Sequence, residues 1–444
     1  MWSGDRLSGA LAGQLARVAH LPPGARVAVF TEPGADTPIA LAALALAGLV
    51  GVPLNPALGA TELAHVLSDA DPALVIGPPD RTAPLGRPAL PPGAAPATAP
   101  LPDRAVDDAP LLVLYTSGTT GPPKGAVLTA RNVATNLDAL ASVWGWTADD
   151  TLVHALPLFH VHGLVLGWFG ALRRGGALRW VPRFDPAAIG EALDGPSRVL
   201  FSVPTMIHRL STADDAVIRA LRGARLLVSG SAPLPAPDRE RVEARAGRTV
   251  IERYGLTETL IVAAARPDEA GTVGAPVPGT EVRRVDEHGD DCAHDALGEV
   301  WVRGPGVFPG YLHRPDATAA VLRDGWFHTG DLATADGQGR LRVVGRQATD
   351  LVKTGGFKVG AGEVEDALLS HPAVAEAAVL GLPDDDLGER IVAWVVAREP
   401  VAAEALIAHV VARIAAHKRP REIRFADALP RNALGKVQKK RLRS

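Results

Sequence analysis

The chain has 444 residues, 47% of them apolar, with 46 Lys plus Arg against 49 Asp plus Glu. That length exceeds what one hydrophobic core usually serves, so two or more domains are expected. The near-neutral balance excludes nucleic acid or an anionic membrane as the main partner, and an anionic ligand must be met by local charge. A single cysteine, Cys292, leaves no intramolecular disulfide or cysteine-based zinc site and suits a reducing, cytoplasmic setting.

In chain order, "MWSGDRLSGAL" shows no basic region followed by an apolar core, so no secretory signal is visible. The most apolar window, "PIALAALALAGLVGVPL" at residues 38–54, is shorter than the roughly 20 residues a membrane helix needs. It reads as a buried helix leading into a strand. Residues 77–110 are too proline-rich for helix or sheet and predict a surface linker. Apolar runs such as "RVAVF", "ALVIG", "LLVLY", "RVLFSVP" and "ARLLVSG" alternate with helix-period segments; one of these places Val133, Leu137, Leu140 and Trp144 on one face. The alternation predicts an α/β architecture with largely parallel sheets. From Gly298 the texture becomes strand-like and glycine-punctuated, a β-rich subdomain. After Asp350 comes a compact α+β unit: a helix at "EVEDALLSH", strands "AEAAVLGL" and "RIVAWVVA", and a helix with Leu406, Val410 and Ile414 on one face.

Within the first half, "LYTSGTTGPPKGAVLT" at residues 114–129 follows an apolar strand run with hydroxyls, glycines and one lysine. Glycines let backbone amides approach a ligand, hydroxyls donate to anionic oxygens and lysine adds a mobile positive charge, so a polyphosphate is the natural occupant. It is not a Walker A loop, because Lys124 precedes Gly125 and no hydroxyl follows to hold magnesium. An ordinary surface loop is the alternative.

Five segments together resemble the acyl-adenylate-forming superfamily of acyl-CoA synthetases, luciferases and carrier-loading adenylation domains. They are "YTSGTTGPPKG" at 115–125, "ERYGLTE" at 252–258, "WFHTGD" at 326–331, "GRQATDLVKTGGFKVGAGEVE" at 345–365 and "RNALGK" at 431–436. The resemblance implies a large N-terminal ATP- and acyl-binding domain at residues 1–345, a hinge at 346–350 and a small mobile C-terminal domain at 351–444. It implies that Thr116, Ser117, Gly118, Thr119, Thr120 and Lys124 hold the β- and γ-phosphates of ATP. Glu258, with Thr120, would ligate Mg²⁺, a hard cation suited to oxygen ligands, and Thr257 would donate to the α-phosphate. Glu252, Arg253 and Tyr254 belong to the ATP site, Tyr254 either as a flat face for adenine or as a plain core aromatic. Asp331 would accept from the ribose hydroxyls beside Arg346. Gly230, Ser231 and Ala232 would line the adenine slot and the floor of the acyl pocket, unless they form only a structural turn. Lys436 would bridge the nucleophilic carboxylate and the α-phosphate as negative charge accumulates. After rotation about a pivot among Ala348, Thr349 and Asp350, the residues Gly355, Gly356, Phe357 and Lys358 would line the CoA tunnel.

For the acid, "LPLFHVHGL" at 156–164 resembles the family's pocket segment, with His162 at the carboxylate end, and "SVPTMIHRL" resembles malonyl-CoA synthetases. In that branch the arginine, here Arg209, meets a second carboxylate; an exposed helix face is its alternative. A pocket for a monocarboxylate would not sensibly bury an unpaired guanidinium. The chain starts near where the family's first helix lies, so either a trimmed gene start or a missing sheet edge is expected. The implied reaction is ATP-dependent joining of malonate or methylmalonate to CoA. The alternatives are another small-acid acyl-CoA synthetase, an enzyme loading a separate carrier protein, since no carrier-like segment follows Lys436, and a non-catalytic nucleotide-binding relative, which the presence of Lys436 and Glu258 disfavours.

Overall fold

The computed structural model describes residues 4–103, 107–116, 122–346, 350–355, 357–431 and 437–442. Four sheets organise them. The first runs, in space, Gly310–Tyr311, Lys124–Thr129, Pro110–Thr116, Val50–Leu54, Arg26–Phe30, Leu74–Ile76 and Ala89–Leu90. Its strands are parallel from Pro110–Thr116 outward to Ala89–Leu90, while Lys124–Thr129 and Gly310–Tyr311 run antiparallel. The second is parallel through Val250–Leu256, Leu226–Ser229, Arg198–Ser202, Thr151–His154 and Ala177–Trp180, with Leu260–Ala264 and Ala275–Pro276 added antiparallel. Runs such as Arg26–Phe30 are buried nearly throughout, as strands covered on both faces require.

The helix Ala130–Trp144 buries the expected Val133, Leu137, Leu140 and Trp144. Its start is fixed by a reciprocal cap: Asn132 donates its N–H to the Thr129 hydroxyl at 3.1 Å, and its side chain accepts from the Thr129 N–H at 2.9 Å. Gly145, at φ 57°, ends it in the left-handed conformation. Trp144 and Trp146 lie 5.6 and 5.4 Å from the ring of Phe201, so one apolar core joins this helix to the second sheet. The window at 38–54 is a buried helix, Asp36–Leu46, followed by the strand Val50–Leu54.

Three boundaries differ from the sequence reading. The proline-rich stretch is not bare linker: Pro79–Thr82 is helical and Ala89–Leu90 extends the first sheet at its edge, where a missing N–H is tolerated. Its later part packs on the helix Gly4–Val18, where Ala97 donates to the Gly9 carbonyl at 2.9 Å. The antiparallel third sheet begins at Glu281 rather than Gly298, because Glu281–Val285 pairs with Gly298–Arg303. The helix Ala403–Val411 ends before Ile414, which still packs on the same core.

The fourth sheet joins Phe357–Gly360, Leu351–Thr354, Gly388–Ala397 and Val374–Asp384, with Glu422–Phe425 parallel to Gly388–Ala397. It has its own core, including Val359, Leu368, Val379, Ile391 and Leu406. Gly360 lies so close to Val344 of the third sheet that a Cβ there would come within 2.1 Å of its methyl group. Among the described residues no helix is long and apolar enough to cross a membrane.

Candidate active site

Several of the expected residues, Arg253, Tyr254, Glu258, Asp331 and Arg346, lie where the parallel strands of the second sheet end and the third sheet begins. Carboxyl ends of parallel strands open crevices because the chain must turn away there. Val250–Leu256 carries Glu252, Arg253 and Tyr254, and a tight turn over Thr257, Glu258 and Thr259 leads into Leu260–Ala264. Gly255 is needed in this hairpin: a Cβ would sit 1.9 Å from the Leu260 carbonyl oxygen.

Among the residues expected at the nucleotide, Tyr254 donates its hydroxyl to Asp331 at 2.7 Å, and Arg346 meets the other Asp331 oxygen at 3.0 Å. The Tyr254 ring packs among Val262, Val300, Val302 and Ala333, leaving little of its face for a base, so the core-aromatic alternative describes its ring and Asp331 takes its polar end. Burial, with Asp331 adding to it, pushes the Tyr254 hydroxyl well above its ordinary range, so it remains a donor. Glu258 is 8% exposed; its Oε1 accepts from Tyr311 at 2.7 Å. The Lys124 ammonium lies 4.9 Å from the centre of the Tyr311 ring, so the end of the glycine-hydroxyl segment reaches the Glu258 cluster. Thr116 donates to the Lys124 carbonyl at 3.4 Å. Ser117, Gly118, Thr119 and Thr120 lie outside the described residues, as do Ala348, Thr349, Gly356 and Lys436.

Of the residues expected on the acyl side, His162 begins a π-helical stretch, His162–Phe169, and is 4% exposed, with no hydrogen bond to either ring nitrogen among the described residues. Such wide turns often mark functional sites. Gly163 permits the approach of this stretch: a Cβ would lie 2.0 Å from the Pro157 carbonyl oxygen. Burial holds His162 far below the ordinary imidazole range, with the Arg253 charge adding to it, and burial pulls His154 and His160 to about 4. All three are neutral at pH 7. Arg253 is 7% exposed; among the described residues it meets the Ser231 hydroxyl, at 3.3 Å, and its Nε has no partner. Burial alone pulls its guanidinium down to about 10, still protonated at neutral pH. Gly230 is required beside it, since a Cβ would fall 2.4 Å from Arg253 Nε, and Ser231 adopts a left-handed φ of 73° that costs backbone strain.

Arg209 corrects the sequence reading. Met206, Ile207, Leu210 and Ser211 form the buried face of the helix Pro204–Ser211, which turns His208 and Arg209 to solvent. The buried guanidinium is Arg253, expected at the nucleotide. Glu252 also points away from a ligand, accepting from the Leu234 N–H at 3.0 Å, 3.6 Å from Arg239. Phe357 is 52% exposed and stacks on His417 at 4.2 Å, on the fourth sheet. Tyr311 went unrecognised in the sequence; its only signal was a tyrosine in the glycine-punctuated "PGYLHRP". Asp350 accepts from the Arg346 N–H at 3.1 Å and pairs at 2.6 Å with Lys439, which also meets Glu365 at 2.7 Å.

The family model described as AMP-binding enzyme matches residues 5–312, and the AMP-binding enzyme C-terminal domain matches residues 363–436. The malonate–CoA ligase of Arabidopsis thaliana is 32% identical, over 95% of this chain and 78% of its own length. ATP-bound MatB from Rhodopseudomonas palustris superposes with a TM-score of 0.90 at 35% identity, over 99% of this chain and 92% of that one. A malonyl-CoA ligase in a ternary product complex with methylmalonyl-CoA and AMP is 51% identical, over 96% and 94% of the chains, yet has a TM-score of 0.72.

Proposed function

Because the chain belongs to the AMP-binding enzyme family and is an AMP-forming acid–thiol ligase, we propose that its acid is a small dicarboxylate, malonate or methylmalonate. One observation carries this reading: Arg253 is a buried, protonated guanidinium without an acidic partner among the described residues, beside neutral His162 and Ser231. An unpaired buried charge is costly, and a substrate carboxylate repays that cost. A monocarboxylate spends its one anionic group on the reaction. A diacid keeps a second for Arg253.

The reacting carboxylate oxygen attacks the α-phosphorus of ATP, and the bond to pyrophosphate breaks. The CoA sulfur then attacks the acyl carbon, and the bond to AMP breaks. Glu258 and Thr120 would hold Mg²⁺; the fit rests on Glu258, a buried carboxylate with only Oε1 engaged by Tyr311. Bound there, the metal would neutralise charge on the phosphates. Asp331 and Arg346 orient the ribose, Lys124 meets the departing phosphates, and Lys436 offsets charge at the α-phosphate.

Domain boundaries at 1–345, 346–350 and 351–444 belong to the same proposal. Support comes from the superpositions: the more identical product complex fits less well than ATP-bound MatB, as expected when a small domain has turned as a body. This chain then has the arrangement for adenylation, with Gly355 and Phe357 turned away until CoA is bound. The single cysteine suits a cytosolic enzyme. The test is AMP formation across mono- and dicarboxylic acids, with CoA present and absent. AMP released with CoA and malonate or methylmalonate, and far less with acetate or propionate, is the expected pattern; equal turnover of both classes refutes the assignment.

A further inference from the structure

The glycine-hydroxyl segment joins the antiparallel strands Pro110–Thr116 and Lys124–Thr129. A single helix, Ala60–Ala70, contacts the strand Pro110–Thr116 at Tyr115 and the chain at Pro123, just before the strand Lys124–Thr129. His65 and Asp69 are one turn apart on it and so share a face. The His65 Nε2 lies 2.8 Å from the Pro123 carbonyl oxygen, just before Lys124, and donates to it. Asp69 accepts from the Tyr115 hydroxyl at 2.8 Å, just before the segment begins. The Tyr115 ring lies across Gly125, where a Cβ would stand 3.1 Å from it. Burial, and then Asp69, push the Tyr115 hydroxyl far above its ordinary range, so this donor is permanent.

Asp69 has a second partner. Arg314 reaches its other oxygen at 2.7 Å, and the Asp69 side chain is only 6% exposed. Arg314 follows the short strand Gly310–Tyr311, which pairs with Lys124–Thr129 through Tyr311 and Ala126. Tyr311 is the residue that donates to Glu258. One buried carboxylate thus ties the segment expected at the triphosphate to the chain segment that positions the metal-binding glutamate. Among the described residues, none of these groups has a hydrogen bond or ion pair with Arg253 or His162.

We propose that Asp69, with Tyr115 and Arg314, is a positioning node for the metal-bound triphosphate. It holds the described ends of the glycine-hydroxyl segment, Tyr115 and Lys124, relative to Glu258, while the adenosine and acid subsites are left alone. Charge-assisted bonds to a shielded carboxylate are among the stronger hydrogen bonds a fold can use, which suits a rigid joint. The inference rests on the ATP site described above.

The experiment compares wild type with Tyr115→Phe, Asp69→Asn, Arg314→Met and Arg314→Lys. Equilibrium binding of Mg²⁺ with α,β-methylene-ATP and of AMP is measured by calorimetry, and KM is measured for ATP and for the acid. Tyr115→Phe, Asp69→Asn and Arg314→Met should weaken the triphosphate analogue about 10- to 100-fold, the scale of one hydrogen bond to a charged group. AMP affinity and the KM for the acid should stay within about twofold, because neither uses the triphosphate segment. Arg314→Lys keeps the charge and should recover most of the affinity. Equal weakening of AMP and the analogue, or no weakening of either, overturns the node. Should Asp69→Asn fail to fold, Tyr115→Phe and Arg314→Lys decide alone, since each keeps the carboxylate. If wild type itself fails to bind the analogue, the ATP site falls and the node with it.

Discussion

Replacing Arg253 with methionine removes a buried charge and keeps a flexible apolar side chain of similar length. Burial pulls this guanidinium from its ordinary range down to about 10, which corresponds to roughly 3 kcal/mol of lost solvation in the ligand-free enzyme. The charged form is the disfavoured one, so Arg253→Met should raise resistance to urea near pH 7. Malonate then meets the opposite effect. Its distal carboxylate enters a water-poor pocket without a partner, and truncating one side of such a pair costs about 2–5 kcal/mol, roughly 30- to several-thousand-fold in kcat/KM. Acetate and propionate carry no distal charge and should change less than about threefold. Sulfoacetate, which replaces the distal carboxylate with a sulfonate, should fall with malonate if it is accepted at all. Arg253→Lys should recover only part of the loss, because an ammonium cannot make the two-pronged contact. The assay is AMP release with each acid, beside urea unfolding. An even fall across mono- and diacids, or a destabilised protein with unchanged acid preference, would refute the reasoning.

Lys436→Ala should slow acyl-adenylate formation by at least about 10²-fold, the effect of removing one transition-state electrostatic partner; thioester formation from supplied acyl-AMP should suffer less, and equal losses count against a turning domain. Gly163→Ala forces a Cβ to 2.0 Å from the Pro157 oxygen, so it should cost about 1–3 kcal/mol in urea unfolding and raise the KM for malonate through its neighbour His162. Unchanged stability would mean the π-helical stretch yields easily. Burial lifts Glu252 from 4.5 to about 7, opposed by the Leu234 N–H and Arg239. A carboxyl raised in the fold holds its proton more tightly there than in the unfolded chain. Its contribution is therefore full below pH 4.5 and is lost as pH rises through 7. Glu252→Gln keeps an acceptor for Leu234 and should flatten the fall of Tm between pH 4.5 and 7; an unaltered slope places the titration elsewhere.

Motifs of contiguous residues were readable from the chain alone. The run at 114–129, "ERYGLTE", "WFHTGD" and the period that buries Val133, Leu137, Leu140 and Trp144 each express local backbone chemistry or one face of one element. The α/β class followed for the same reason, because alternating strand and helix periods are local. Even the outward turn of Arg209 was legible, since Met206, Ile207 and Leu210 mark the inward stripe of its helix. What local pattern does not contain is which distant groups share a space. Tyr311 and Glu258 are 53 residues apart, and Arg314 and Asp69 are 245 apart. The order of strands in the first sheet brings Gly310–Tyr311 beside Lys124–Thr129, and that pairing carries Tyr311 to the end of the glycine-hydroxyl segment. Arg253 likewise sits in a recognised motif, but its burial, with no acidic partner among the described residues, comes from the closing of Gly230, Ser231 and His162 around it. Charge compensation is a property of a packed volume, and tertiary structure alone decides which side chains share that volume.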